Sequence, residues 1–192
     1  MLFVWLFKLT AYLPFVLFFH PRSKGKEKVP KTPCILAMNH GAALDPALIN
    51  VAFPLKRIYM LTAERLFHCN RLHQWELRQM GCRPSISPSG DMETMTEIAG
   101  RLRGCEMIGF FSEGRIQSSV GSFRSGAVML AIRTGLPLVP VYIRTAPFFR
   151  GGTRITFGEP VSITAKDIPS AQEIEAISEN LRNQVIRLSD EA

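Results

Sequence analysis

The stretch Cys34-Ile35-Leu36-Ala37-Met38-Asn39-His40-Gly41-Ala42-Ala43-Leu44-Asp45-Pro46 decides how this chain is read. It opens with an unbroken apolar run of strand length, and a polar cluster follows at once. In an open α/β sheet ligands bind at the carboxyl ends of the strands, so a histidine released there can point into a crevice and not into the core. Asp45, five residues after His40, can return to accept a hydrogen bond from one imidazole nitrogen. That bond would fix the tautomer and leave the other nitrogen as a general base. Asp45 is also expected to N-cap a helix that starts at Pro46. Taken alone, His40 would more often be a structural histidine. Asn39 before it and Asp45 after it tip the reading toward chemistry.

From Pro30 onward apolar segments alternate with amphipathic ones, which predicts strands interleaved with helices around a largely buried sheet. Strands are expected at 34–38, 58–62, 107–111, 138–143 and 153–157, and helices at 46–53, 72–80, 92–103, 123–134 and 171–188. Gly81 and Gly135 stand where two of these helices should stop. The run Pro84-Ser85-Ile86-Ser87-Pro88-Ser89-Gly90 reads as a turn-rich link. The last helix carries Ile174, Ile177, Leu181, Val185 and Leu188 at spacings of three and four, one stripe for packing on the body.

The chain has 192 residues, of which 46% are hydrophobic and 20% charged, with a net charge of +7. That length suits one domain with a core of its own, and the apolar fraction excludes disorder. Low charge, a mean hydropathy of +0.09 and 13 phenylalanines point to apolar surface that meets lipid. The four cysteines form no C-x-x-C pair, which suits a reduced compartment. His68 and His73 would lie about 140° apart on a helix, off a shared ligand face, so no metal is expected.

Residues 1–19, MLFVWLFKLTAYLPFVLFF, are nearly continuous in apolar character and would reach roughly 28 Å as a helix. Lys8 and Pro14 interrupt a clean span, the lysine at about 2.5–3.5 kcal/mol on insertion scales. Arg22, Lys24, Lys26, Lys28 and Lys31 follow, a basic flank that belongs on the cytoplasmic side. A cleaved leader would need a basic start and a small-x-small site, neither of which is present. The expectation is a membrane anchor over 1–22, spanning or lying in the interface, and an α/β domain over 23–192. A buried helix is the competing reading.

A second constellation is Phe110-Phe111-Ser112-Glu113-Gly114-Arg115, again a strand opening into a polar turn, followed by Phe123-Arg124-Ser125-Gly126 at an expected helix start. Arg115 offers a planar fork suited to phosphate oxygens, and Arg124 with the first amides of its helix could add positive potential. Glu113 would orient an arginine or accept from substrate hydroxyls. An ordinary surface Glu–Arg pair is the plainer alternative. Gly121 to Gly126 has the glycine spacing of a P-loop but lacks its Lys-Ser/Thr, which argues against nucleotide binding. The chain also lacks G-x-S-x-G, so the nucleophile should belong to the substrate. A His–Asp base acting on a bound alcohol fits attack on an activated acyl group such as a thioester. Basic charge without an RRM, KH or helix-turn-helix signature speaks against nucleic acid as a partner.

These stretches together resemble the glycerolipid (lysophospholipid) acyltransferase family. Asn39-His40 to Asp45 is similar to its N-H-x-x-x-x-D motif, Phe111-Ser112-Glu113-Gly114-Arg115 to its F-P-E-G-x-R block, and Phe123-Arg124-Ser125-Gly126 and Leu138-Val139-Pro140-Val141 to segments downstream. The chain departs from the pattern at Ser112, where proline is usual, and at Arg115, which directly follows Gly114. Gly81-Cys82-Arg83-Pro84 is a poor match to the second block, with Arg83 a weak candidate.

The resemblance implies a single mixed, largely parallel sheet flanked by helices. It also implies an enzyme that moves a fatty acyl group from acyl-CoA or acyl-acyl carrier protein to a lysophospholipid, foremost 1-acylglycerol 3-phosphate, giving phosphatidate. His40 would deprotonate the acceptor, Asp45 would orient His40, and Asn39, Ser112, Glu113, Gly114, Arg115 and Arg124 would line the acceptor site. No cofactor is implied. Membrane phospholipids would be partners at the cytoplasmic face of the cell membrane. Other acceptors, namely glycerol 3-phosphate, another lysophospholipid or an amino-acid lipid, and a lipid-binding protein without turnover are the remaining readings. The loop Arg144-Thr145-Ala146-Pro147-Phe148-Phe149-Arg150-Gly151-Gly152-Thr153-Arg154 sets two phenylalanines among arginines, and is expected either to touch the membrane or to turn Phe148 and Phe149 into the core.

Overall fold

The computed structural model describes residues 13, 16–54, 56, 58–63, 67–68, 70–79, 81–85, 107–163 and 169–192. The sheet is built around β2 (Cys34–Met38), all five of whose side chains are buried. Cys34, Leu36 and Met38 join one apolar cluster and Ile35 and Ala37 the other, as the two-residue period of a strand demands. Its neighbours are β5 (Met107–Phe111) and β6 (Leu138–Arg144), both parallel to it. Outward from β5 lie β3 (Ile58–Ala63) and β4 (Cys82–Ser85); outward from β6 lie β7 (Arg154–Phe157) and β1 (Arg22–Lys24). The order is β1-β7-β6-β2-β5-β3-β4, and the β6–β7 pair is the antiparallel one.

Helices cover both faces. α1 (Asp45–Ala52) and Leu77 of α2 (Arg71–Gln79) pack over Leu36, Met38 and Met60. On the other side α3 (Gly126–Thr134) and Leu181 of α4 (Ala171–Asp190) cover Ile35, Ala37 and Ile108. The expected stripe on α4 is present, with Leu181, Val185 and Leu188 buried, and the helix opens with a capping box between Ser170 and Glu173. Gly109, opposite Met60 in register, is a glycine for a packing reason: a Cβ there would lie 2.1 Å from Met60 Sδ.

Several expectations change. β1, three exposed polar residues, has no apolar period and was read as the basic flank of an anchor. Part of the turn-rich link is instead β4, parallel to β3. The helix expected from 123 starts at Gly126, because Arg124 N–H donates to Ser112 O and keeps that segment extended toward β5. The helix expected over 92–103 lies outside the described residues. Among the described residues no helix is long and apolar enough to cross a membrane, and most of the stretch expected to be an anchor is not among them. Residues 16–19 are helical, with Leu17 and Phe18 exposed. Phe148 and Phe149 are also exposed, 59% and 65%, so the core-facing alternative for their loop does not hold.

Candidate active site

His40 stands two residues beyond the end of β2, and α1 begins at Asp45, so one loop brings the imidazole and the carboxylate together. His40 Nδ1 lies 3.0 Å from Asp45 Oδ2. The same oxygen accepts from the backbone N–H groups of Gly41 and Ala42, each at 2.9 Å, and Asp45 Oδ1 accepts from the Thr145 hydroxyl. Asp45 is fully buried, and these four donors satisfy a charge that would otherwise be prohibitive there. An ionised carboxylate can only accept, so with Asp45 charged the imidazole proton lies on Nδ1 and the lone pair on Nε2. The His40 ring stacks on Phe111 with centroids 4.2 Å apart, which limits its rotation. The expected N-cap role of Asp45 does not hold: Leu44 is the N-cap, and the carboxylate reaches back into the loop.

Of the residues expected to line the acceptor site, Asn39 and Glu113 spend their side chains on the backbone, and Ser112 is buried. Asn39 is buried, and its amide forms two bonds with Ile143 of β6: Nδ2 donates to Ile143 O at 3.0 Å, and Oδ1 accepts from Ile143 N–H at 2.7 Å. It extends the β2–β6 ladder by a side chain. Glu113 is 3% exposed and accepts from His40 N–H at 3.2 Å and from Gly121 N–H at 2.9 Å. It ties the histidine loop to the loop that follows β5. Burial pushes its carboxyl above the ordinary range, and the two amides oppose that shift without cancelling it. Ser112 is 1% exposed, and among the described residues its hydroxyl has no hydrogen-bond partner. Its backbone N–H donates to Met38 O, a bond that a proline could not make.

Gly114, Arg115 and Arg124 do face solvent. Gly114 adopts φ 68°, and a Cβ there would lie 3.1 Å from the Arg124 guanidinium carbon, so that side chain lies across the turn. Among the described residues neither arginine has a carboxylate partner, which leaves their donors free for an anion. Arg124 precedes α3 and is not in its first turn. Arg83 lies on β4, two strands from β5. Burial pushes the Cys34 thiol to about 11, so it stays protonated and is no nucleophile at neutral pH.

A family model described as Acyltransferase matches residues 20–144, from the start of the sheet to the end of β6. The chain belongs to this family. A chloroplastic 1-acyl-sn-glycerol-3-phosphate acyltransferase of Brassica napus is 26% identical over 140 residues, covering 70% of this chain and 40% of its own length. One from Arabidopsis thaliana is 25% identical over 140 residues, covering 70% and 38%. The chain thus spans about two fifths of the curated relatives it matches. The crystal structure of the 1-acyl-sn-glycerophosphate acyltransferase PlsC from Thermotoga maritima superposes with a TM-score of 0.65 at 22% identity, over 97% of this chain and 78% of that one. The acyltransferase fold is therefore shared.

Phe111 and Thr145 also touch the His40–Asp45 pair of this acyltransferase-family chain; the sequence places Phe111 in the second motif without a role at the histidine, and gives Thr145 none. The signal was their position: each falls at or just past the carboxyl end of a strand that neighbours β2.

Proposed function

We propose that the chain is an O-acyltransferase, carrying a fatty acyl group from acyl-CoA or acyl-acyl carrier protein to the free hydroxyl of 1-acylglycerol 3-phosphate, giving phosphatidate, at the cytoplasmic face of a membrane. The supporting observation is the His40–Asp45 pair, 3.0 Å apart at the end of the central strand. His40 Nε2 takes the acceptor's hydroxyl proton as its oxygen bonds to the thioester carbonyl carbon. The tetrahedral intermediate then breaks its C–S bond, and the leaving thiolate receives the proton from the imidazolium. Asp45 stabilises that imidazolium and holds the ring. Gly114, Arg115 and Arg124 hold the acceptor's phosphate. The thioester is already activated, so this chemistry needs no cofactor.

The test is acyl transfer from acyl-CoA to 1-acylglycerol 3-phosphate by the full chain in detergent. His40→Ala and Asp45→Ala are expected to lower turnover by about 10²–10⁴-fold. Full turnover in His40→Ala ends the base assignment. The direct junction of Gly114 to Arg115 favours a second reading, an acceptor of different headgroup length, and a panel including glycerol 3-phosphate and other lysophospholipids, read by product mass, separates the two.

A further inference from the structure

Three arginines are aligned across one edge of the sheet. Arg144 ends β6 and faces Arg154 in the antiparallel register, and Arg154 faces Arg22 in the parallel register of β1 with β7. Residues opposite one another on neighbouring strands project to the same face, and like charges so placed destabilise a sheet. Among the described residues none of the three has an acidic partner. A fold keeps such a row where an anion meets it.

The chain between Arg144 and Arg154 shows which anion. It forms a short 3-10 helix, Phe148–Arg150, whose two phenylalanines are exposed and touch each other at 5.5 Å between centroids. Phe149 also meets Phe18, itself half exposed, at 6.2 Å. The two segments are fastened by Thr153 N–H donating to Phe19 O and Arg22 N–H donating to Thr153 O. Aromatic rings exposed as a cluster and bordered by unpaired cations match the interface of an anionic bilayer, where rings sit at headgroup level and guanidinium groups meet phosphates.

We infer that Arg22, Arg144 and Arg154 with Phe18, Phe148 and Phe149 form the face by which this chain lies on an anionic lipid surface. This deepens the proposed function, since it gives a membrane contact made by the folded body, separate from residues 1–12. β6 is parallel to β2, so Arg144 lies at the same end of the sheet as His40. The docking face and the base therefore share one end of the molecule.

The experiment is hydrogen–deuterium exchange on the full chain, with vesicles of phosphatidylcholine containing phosphatidylglycerol, vesicles of phosphatidylcholine alone, or acyl carrier protein. Amides of residues 145–153 are expected to slow with the anionic vesicles alone. Replacing the arginines by glutamine should weaken vesicle binding roughly fivefold for each one removed. Arg154→Gln, which separates the two like-charged neighbours, should at the same time raise the melting temperature, so lost binding cannot be put down to misfolding. Unchanged exchange in 145–153, equal slowing by neutral vesicles, or slowing by acyl carrier protein in place of vesicles overturns the inference. None of these readouts requires turnover, so they stand or fall apart from the assay of His40→Ala.

Discussion

Asp45 is held by four donors, and three of them come from its own loop. Thr145 is the exception, reaching Oδ1 from 100 residues away. Without it, Oδ1 loses its donor in a fully buried setting, and the carboxylate is held less firmly against the imidazole. Thr145→Val is therefore expected to lower kcat about tenfold with little change in KM, while Thr145→Ser keeps both. A wild-type kcat in Thr145→Val would show that the hydroxyl has no part in placing the base. Glu113 gives a prediction of stability. Its folded pKa is raised, chiefly by burial, so the native state holds this proton more firmly than the unfolded chain. Its contribution is present below the ordinary glutamate range and is lost as pH rises through the raised value. The melting temperature of wild type should accordingly fall relative to that of Glu113→Gln from acid toward neutral pH, a comparison in which the other titrating groups cancel.

At the scale of elements, the decisive packing is between neighbouring strands and not only between sheet and helices. Met60 and Met38 lie across β5 because Gly109 leaves room; a Cβ would meet Met60 Sδ at 2.1 Å and Met38 Cε at 3.1 Å. Gly109→Ala is expected to destabilise by about 1–3 kcal/mol, read from denaturant midpoints, and an unchanged midpoint would mean that Met60 moves aside freely. The central strands were legible because each is a short apolar run. β1 was not, since its three side chains are exposed and it exists only through pairing with β7. The start of α3 was misplaced for a similar reason: a backbone bond from Arg124 to Ser112 sets it, and no side-chain pattern records that bond. In the site, His40 and Asp45 could be paired from sequence because five residues separate them. Asn39 and Glu113 read as substrate contacts because residue type alone does not say whether a polar atom meets a ligand or the backbone, and the burial of Ser112 depends on packing that its residue type does not record. Thr145 and Phe111 required the strand order, which periodicity leaves open.

At the scale of the whole molecule, the parallel order of β5, β2 and β6 sends the ends of three strands to one side, and with them His40, Glu113 and Arg144. The antiparallel return through β7 brings the exposed Phe148 and Phe149 to that side too, so the aromatic face and the base lie at one end. A lysolipid acceptor leaves water for a bilayer at about 0.8 kcal/mol per buried CH₂, and full extraction of its chain into a soluble site would reverse that gain. An enzyme whose docking face adjoins its base avoids the extraction by taking the headgroup at the interface. Transfer to bilayer-borne 1-acylglycerol 3-phosphate should therefore exceed transfer to a short-chain, monomeric analogue at equal total concentration. The advantage should shrink in molar salt, because the screening length falls from about 10 Å at 0.1 M to about 3 Å at 1 M and weakens the hold of the exposed arginines. If both acceptors turn over equally at low salt, the shared end of the sheet has no consequence for substrate capture, and the acceptor reaches His40 through water.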